Sequence, residues 1–333
     1  MAGETKTRKL AVLGWYGHKN FGDFLILEGL KKLFDGWRVE AFTSDQNAMV
    51  PMIDFDKVNE CDLFVLGGGE LINTNHLFMP SPSKLFKTSS LGYRIYAKTR
   101  FADSWIQRLK IPKAVLGCGV NAERPEQIRP NVIRDLEQFS YIGLRDNASV
   151  SMLKSVPRLK SKVHLFHDLA FTLDFASPTK QKKDVAIVIP TDRDTLSDSG
   201  VRECGVAGKS WSWLKEKLKP HEKTVFLAFG ERDNNDLETC KLLSSCARES
   251  EILNANEFSF EQVMRLISES RMVFPYRLHG LVLAFMAGVP YDFWPYHWKL
   301  QRVHDTVAGL NIKEIKNMQK EEMKKITDLV NED

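Results

Sequence analysis

Three apolar runs in the first part of the chain end in glycine, and this restricts the fold more than any other feature. Leu10–Leu13 stops at Gly14, Cys61–Leu66 runs into Gly67-Gly68-Gly69, and Ala114–Leu116 runs into Gly117-Cys118-Gly119. Runs that are apolar throughout, closed by glycine and separated by helical stretches predict βαβ units and a parallel sheet. Strands are also expected at Val39–Phe42, Tyr141–Leu144 and Val163–Phe166. A second series begins at Val185–Ile189. It continues through a helix near Trp211–Leu218, the strand Val225–Phe229, helices over Leu237–Ala247 and Phe260–Ile267, and a strand–turn–helix over Arg271–Pro290. The polar, proline-containing Ser177–Lys183 between the two series reads as a linker.

The expected architecture is therefore α/β, with two Rossmann-like lobes and a central cleft, over residues 1–175 and 184–310. Residues 311–333 carry Ile312, Ile315, Met318, Met323, Ile326 and Leu329 at helical spacing, an amphipathic C-terminal helix that must dock on something. A chain of 333 residues accommodates two such domains.

Composition narrows the function by exclusion. The net charge of +4 comes from 47 basic and 43 acidic residues scattered along the chain. That is too mild for a nucleic-acid binder and suits an anionic small molecule. Five cysteines, odd in number and without a CxxC pair, predict reduced thiols rather than disulfides or a zinc site. The polar N-terminus leads straight into a strand, so no signal peptide is expected. No apolar run approaches the ~20 residues needed to span a bilayer. The expected location is cytoplasmic, and a homo-oligomer is compatible with all of this.

Glycine at strand ends lets a ligand approach the backbone and lets amides point at an anion. None of the three turns fits GxGxxG, and no Walker lysine motif follows them, so they carry no NAD or ATP signature. In the first loop, Asn20 and Asp23 flank Gly22; Asp23 either caps the helix that runs through Phe34 or faces the cleft as well. The long stretch Asn73–Lys110 reads as a flap on the substrate side. His167-Asp168 and His279 with Asp292 match no metal-ligand spacing, so no metal is expected.

The most informative stretch is Arg271–Pro290. A short strand, Met272–Phe274, leads through Tyr276-Arg277-Leu278-His279-Gly280 into an apolar helix ended by Gly288 and Pro290. Strand C-termini and helix N-termini open into one crevice in parallel sheets. An arginine and a histidine there suit a phosphate or carboxylate. The plainer alternative is that Arg277 caps a neighbouring carbonyl and His279 is a satisfied core histidine.

Together these stations resemble the polysaccharide pyruvyl transferase family over nearly the whole chain. They run in order from the G-x-x-G-x-x-N-x-G-D loop of Gly14–Asp23 through Gly67-Gly68-Gly69 and Gly117-x-Gly119. Arg145-Asp146-x-x-Ser149, Asp168, Arg277-Leu278-His279-Gly280, Gly288-Val289-Pro290 and Tyr296-x-x-Lys299 follow. The chain departs from the family pattern at Cys118–Ala122, in place of a Q-S-x-G-P-like stretch, and at Phe24. The resemblance implies a GT-B-like fold and transfer of a pyruvyl group from phosphoenolpyruvate to two hydroxyls of a sugar or glycan, forming a cyclic ketal. It places the donor on Arg145, Arg277, Leu278, Gly280 and Lys299, with His279 as the catalytic proton source. The acceptor side then carries Asn20, Asp23, Gly68, Gly69 and Asn121. Phosphoenolpyruvate is a co-substrate, and no cofactor is implied. Two arginines suit its phosphate and carboxylate, and protonating its methylene needs a group of the histidine type. Two alternatives keep the fold: a nucleotide-sugar glycosyltransferase, and a non-catalytic sugar- or anion-binding module.

Overall fold

The computed structural model of the chain describes residues 7–45, 48–77, 104–175, 183–191, 206–231 and 236–331. Nearly all of the expected linker, and residues 78–103 of the expected flap, lie outside the described residues. The chain divides into two compact units. One comprises Met1–Gly17, Ile26–Thr172 and Lys313–Asp333; the other comprises His18–Leu25 and Leu173–Ile312.

The strands of the first unit are β1 (Lys9–Leu13), β2 (Arg38–Phe42), β3 (Leu63–Gly67), β4 (Ile72–Asn73), β5 (Lys113–Cys118), β6 (Val120–Asn121), β7 (Tyr141–Leu144) and β8 (Val163–Leu165). Six of them form a parallel sheet in the order β2-β1-β3-β5-β7-β8, while β4 and β6 pair separately beyond the glycine turns. Leu10, Val12, Leu63, Val65, Ala114 and Leu116 join one buried cluster. Their neighbours Ala11, Leu13, Phe64, Leu66 and Val115 join another. Successive strand residues face opposite sides, so both faces are covered and the strands read as unbroken apolar runs.

The C-terminal helix, Ile312–Asn331, docks on this unit, with Ile326 in the cluster that holds Leu10, Val12, Ile26 and Leu30. Its buried stripe differs from the expected one. Met318 is exposed, and Gln319 is buried in its place, its Nε2 donating to the Asp168 carbonyl at 3.0 Å. Gln319 follows Ile315 at i+4 and precedes Ile326 at i+7, which is the spacing of one helix face. Tyr141 ties the same helix down by donating to Glu322 at 2.7 Å.

The second unit has β9 (Val185–Ile189), β10 (Lys223–Ala228), β11 (Glu249–Asn254) and β12 (Met272–Pro275), a parallel sheet in the order β11-β10-β9-β12. Its helices include Val206–Leu218, Asp236–Ser244, Phe260–Glu269, Leu278–Met286 and Trp298–Val307. Ser259 and Gln262 form a capping box at the start of Phe260–Glu269. Among the described residues, no helix is long and apolar enough to cross a membrane.

One buried residue makes stability depend on pH. His167 has a positive φ of 66°, is fully buried, and has no hydrogen-bond partner for either ring nitrogen among the described residues. Burial pulls its pKa down to about 4, against the opposing pull of Asp168. An unfolded histidine titrates near ~6.5, so between those values the unfolded chain binds a proton that the folded chain refuses. The stability contributed by neutral His167 is complete above pH ~6.5 and is lost as pH falls toward its folded value, by about 3 kcal/mol in all. Urea midpoints measured from pH 7 to pH 4.5 (roughly the window set by these pKa values) are expected to fall. His167→Asn, which tolerates positive φ, removes that part of the slope; an unchanged slope in the variant would assign it to other groups.

Candidate functional site

In the second unit, β12 delivers the chain to the start of an apolar helix. Tyr276 is buried, and Arg277 keeps an extended backbone at the N-cap position (φ −98°, ψ 136°), with Leu278–Met286 following as helix. N–H groups in the first turn of a helix have no partner within the helix. Leu278 is buried in the core, and a Cβ added to Gly280 would lie 2.9 Å from Ile189 Cδ1. These two residues therefore seat the helix on the sheet, and what they offer a ligand is backbone. His279, between them, is half-buried.

The loop before the first helix packs onto this same unit. Asn20 forms a bridge with Gly230, and the Phe21 N–H donates to the Phe229 carbonyl at 2.8 Å. The rings of Phe21 and Phe229 meet edge-on at 5.2 Å. Asn20 and Asp23, expected on the acceptor side with the first lobe, thus belong to the second unit with His279. Capping differs from expectation too. The helix is Phe21–Leu33, and Asp23 lies in its first turn. Asn20 does the capping, its Oδ1 accepting from the Gly22 N–H at 3.0 Å and its carbonyl accepting from the Phe24 N–H at 3.1 Å.

Gly22 is where this loop meets the histidine. A Cβ built on Gly22 would lie 2.2 Å from His279 Nδ1, so any larger residue must push the ring aside. Alanine is the better helix former by up to about 1 kcal/mol, so Gly22→Ala leaves the fold intact while moving His279. The expected result is a melting temperature within about 4 °C of the parent and turnover lower by roughly a hundredfold. Unchanged turnover would mean that the ring position does not matter.

Arg277 is held by a residue that the sequence did not point to. Asp236, fully buried, accepts from Arg277 Nε at 3.1 Å and from Nη2 at 2.6 Å. The same carboxylate accepts from the Phe229 and Gly230 N–H groups at 3.2 and 2.9 Å. Burial pushes the Asp236 carboxyl up from its ordinary value, with Arg277 and the two amides pulling the other way. The only sequence signal was an aspartate just after a strand–glycine end. Its partner lies 41 residues further on. Lys299 lies in the first turn of the helix Trp298–Val307, its N–H accepted by His297 Nδ1 at 3.2 Å.

In the first unit, Gly68 and Gly69 both have φ of 70°, and a Cβ on Gly68 would lie 2.3 Å from Ile26 Cγ2. Asn121 on β6 donates to Asn73 on β4 at 3.2 Å. Arg145 belongs to this unit and Arg277 to the other. It is 3% exposed, its Nη2 is 3.2 Å from Glu70, and its Nε is 3.9 Å from Asp146. Its charge is already met by two carboxylates. Asp146 also caps the helix Asn147–Lys154 through the Ser149 N–H at 2.8 Å. Glu70 and Asn73 carry no local sequence signal, because their partners Arg145 and Asn121 lie far along the chain. Among the described residues, no group of three or more His, Cys, Asp or Glu is placed to hold a metal ion.

Comparison with known proteins adds three findings. The family model of polysaccharide pyruvyl transferase matches residues 20–290. No curated protein sequence matches the chain significantly. Among solved structures, the chain is similar to UDP-GlcNAc 2-epimerase from Neisseria meningitidis bound to UDP-GlcNAc. The TM-score is 0.51 at 12% identity, over 97% of this chain and 93% of that one. UDP-N-acetylglucosamine 2-epimerase from Rickettsia bellii gives 0.51 at 11% identity, over 98% and 97%. At these identities the likeness concerns the fold alone, and the fold is GT-B-like.

Proposed function

The chain belongs to the polysaccharide pyruvyl transferase family, and on that premise we propose that it moves the pyruvyl group of phosphoenolpyruvate onto two hydroxyls of a sugar or glycan. The product is a cyclic ketal, and phosphate is released. The observation that carries this reading is the pairing of Arg277 and His279 at the mouth of the helix Leu278–Met286, with His279 seated against Gly22. A guanidinium and helix N–H groups suit the phosphate and carboxylate of the donor, and Lys299 adds a second cation from the same unit. The donor is therefore assigned to the second unit, together with Asn20 and Asp23. The acceptor is assigned to the first unit, at Gly68, Gly69 and Asn121, with Asn73 and Glu70 beside them. Arg145 serves that side, as the counter-ion of Glu70.

The chemistry follows from these roles. His279 delivers a proton to the methylene carbon C3, and C2 becomes cationic. One sugar hydroxyl adds to C2, the C2–O bond to phosphate breaks, and the second hydroxyl closes the ring. Of the two protons that the diol gives up, one balances the proton now on the methyl group and the other leaves with phosphate. Arginine and helix dipoles aimed at the departing phosphate lower the barrier because they are already oriented.

A binding series tests the donor. Phosphoenolpyruvate is expected to raise the melting temperature and to be competed off by inorganic phosphate. UDP-GlcNAc and UDP are expected to shift it less. A larger shift with UDP-GlcNAc, and none with phosphoenolpyruvate, would replace this reading with a nucleotide-sugar transferase.

A further inference from the structure

Asp236 opens the helix Asp236–Ser244 and is fully buried. Four N–H donors converge on it: Phe229, Gly230, and Nε and Nη2 of Arg277. The two bonds from Arg277 come from one edge of the guanidinium. They fix the plane of the group and turn its other edge, formed by Nη1 and Nη2, away from Asp236. That edge carries the parallel N–H pair that matches a phosphate or carboxylate in bidentate fashion. The backbone bonds to Phe229 and Gly230 fix the carboxylate itself, so the arginine is referenced to the end of β10 rather than to its own flexible stem.

We propose that Asp236 is the positioning residue of the donor site, holding the Arg277 guanidinium in the orientation that receives the donor anion. This rests on the reading that Arg277 binds the phosphate or carboxylate of phosphoenolpyruvate. It has a sign that separates it from a merely structural ion pair. A buried carboxylate beside an arginine also cancels part of its charge. If that cancellation were its only effect at the site, removing it would tighten anion binding. If Asp236 orients the fork, removing it weakens binding although the site becomes more positive.

The experiment is calorimetric titration of phosphoenolpyruvate into the full chain and into Asp236→Asn, Arg277→Lys and the double variant, each melted in parallel. Asp236→Asn is expected to raise Kd by about tenfold or more. In the Arg277→Lys background, which has no fork to orient, the same change is expected to move Kd by less than about threefold. Titration stoichiometry counts the folded fraction, and Asp236→Ser serves as the second variant if Asp236→Asn does not fold. A Kd for Asp236→Asn that is unchanged or tighter, while Arg277→Lys weakens binding, overturns the positioning role and leaves the donor site standing. If Arg277→Lys also binds like the parent, the donor assignment itself fails, and the proposal fails with it.

Discussion

Replacing His279 with alanine or glutamine is expected to lower turnover by roughly 10²–10⁴, the range for a lost general acid or base. Donor affinity is expected to fall far less, because in the proposed site Arg277 and Lys299 carry most of the charge recognition. His279 lies in the first turn of the helix Leu278–Met286, and a Cβ on Gly22 would come within 2.2 Å of its Nδ1. Removing the ring therefore takes away the proposed proton source, and the sheet residues beneath the helix are left as they are. Single-turnover phosphate release at saturating phosphoenolpyruvate reads the chemical step, and calorimetry reads the affinity. Run in deuterated water, the parent enzyme should place one deuterium on the ketal methyl group. A His279 variant that binds poorly but turns over normally at saturation would make the histidine a ligand contact only.

Arg277→Ala is expected to weaken phosphoenolpyruvate binding by roughly 2–5 kcal/mol, about thirtyfold to several thousandfold. It is also expected to destabilise the protein, because Asp236 is left as a buried charge without its partner. The two effects separate in the Arg277→Ala/Asp236→Asn double variant. Neutralising Asp236 should restore much of the melting temperature and none of the affinity. Recovery of affinity along with stability would show that Arg277 acts on the donor only through the fold.

The residues that could be placed from the sequence are those whose neighbours are local. Strands β1, β3, β5 and β9 were legible because burial on both faces makes them continuously apolar. Arg277 and His279 were legible because strand, turn and helix are consecutive. Strand β11 was not. It reads Glu-Ser-Glu-Ile-Leu-Asn, an edge strand whose first three residues are exposed, so its pairing with β10 leaves no apolar pattern. Nor could the sequence assign His18–Leu25 to the second unit, since that depends on backbone bonds from Asn20 and Phe21 to Phe229 and Gly230. The link from Asp236 to Arg277 and that from Arg145 to Glu70 join distant residues, and neither pair has a spacing that a helix or turn would impose. In the C-terminal helix, the apolar Met318 faces solvent and Gln319, which has a carbonyl partner, is buried, so hydropathy alone does not mark the docked face.

The proposed reaction takes phosphoenolpyruvate as the donor and a sugar diol as the acceptor. It is tested most directly by incubating the full chain with phosphoenolpyruvate, UDP-GlcNAc and a panel of glycans bearing free diols, then reading products by mass spectrometry and free phosphate together. One glycan is expected to gain a pyruvate less one water, with one phosphate released per ketal and UDP-GlcNAc untouched. Release of UDP with transfer of the sugar, while phosphoenolpyruvate remains intact, would contradict it.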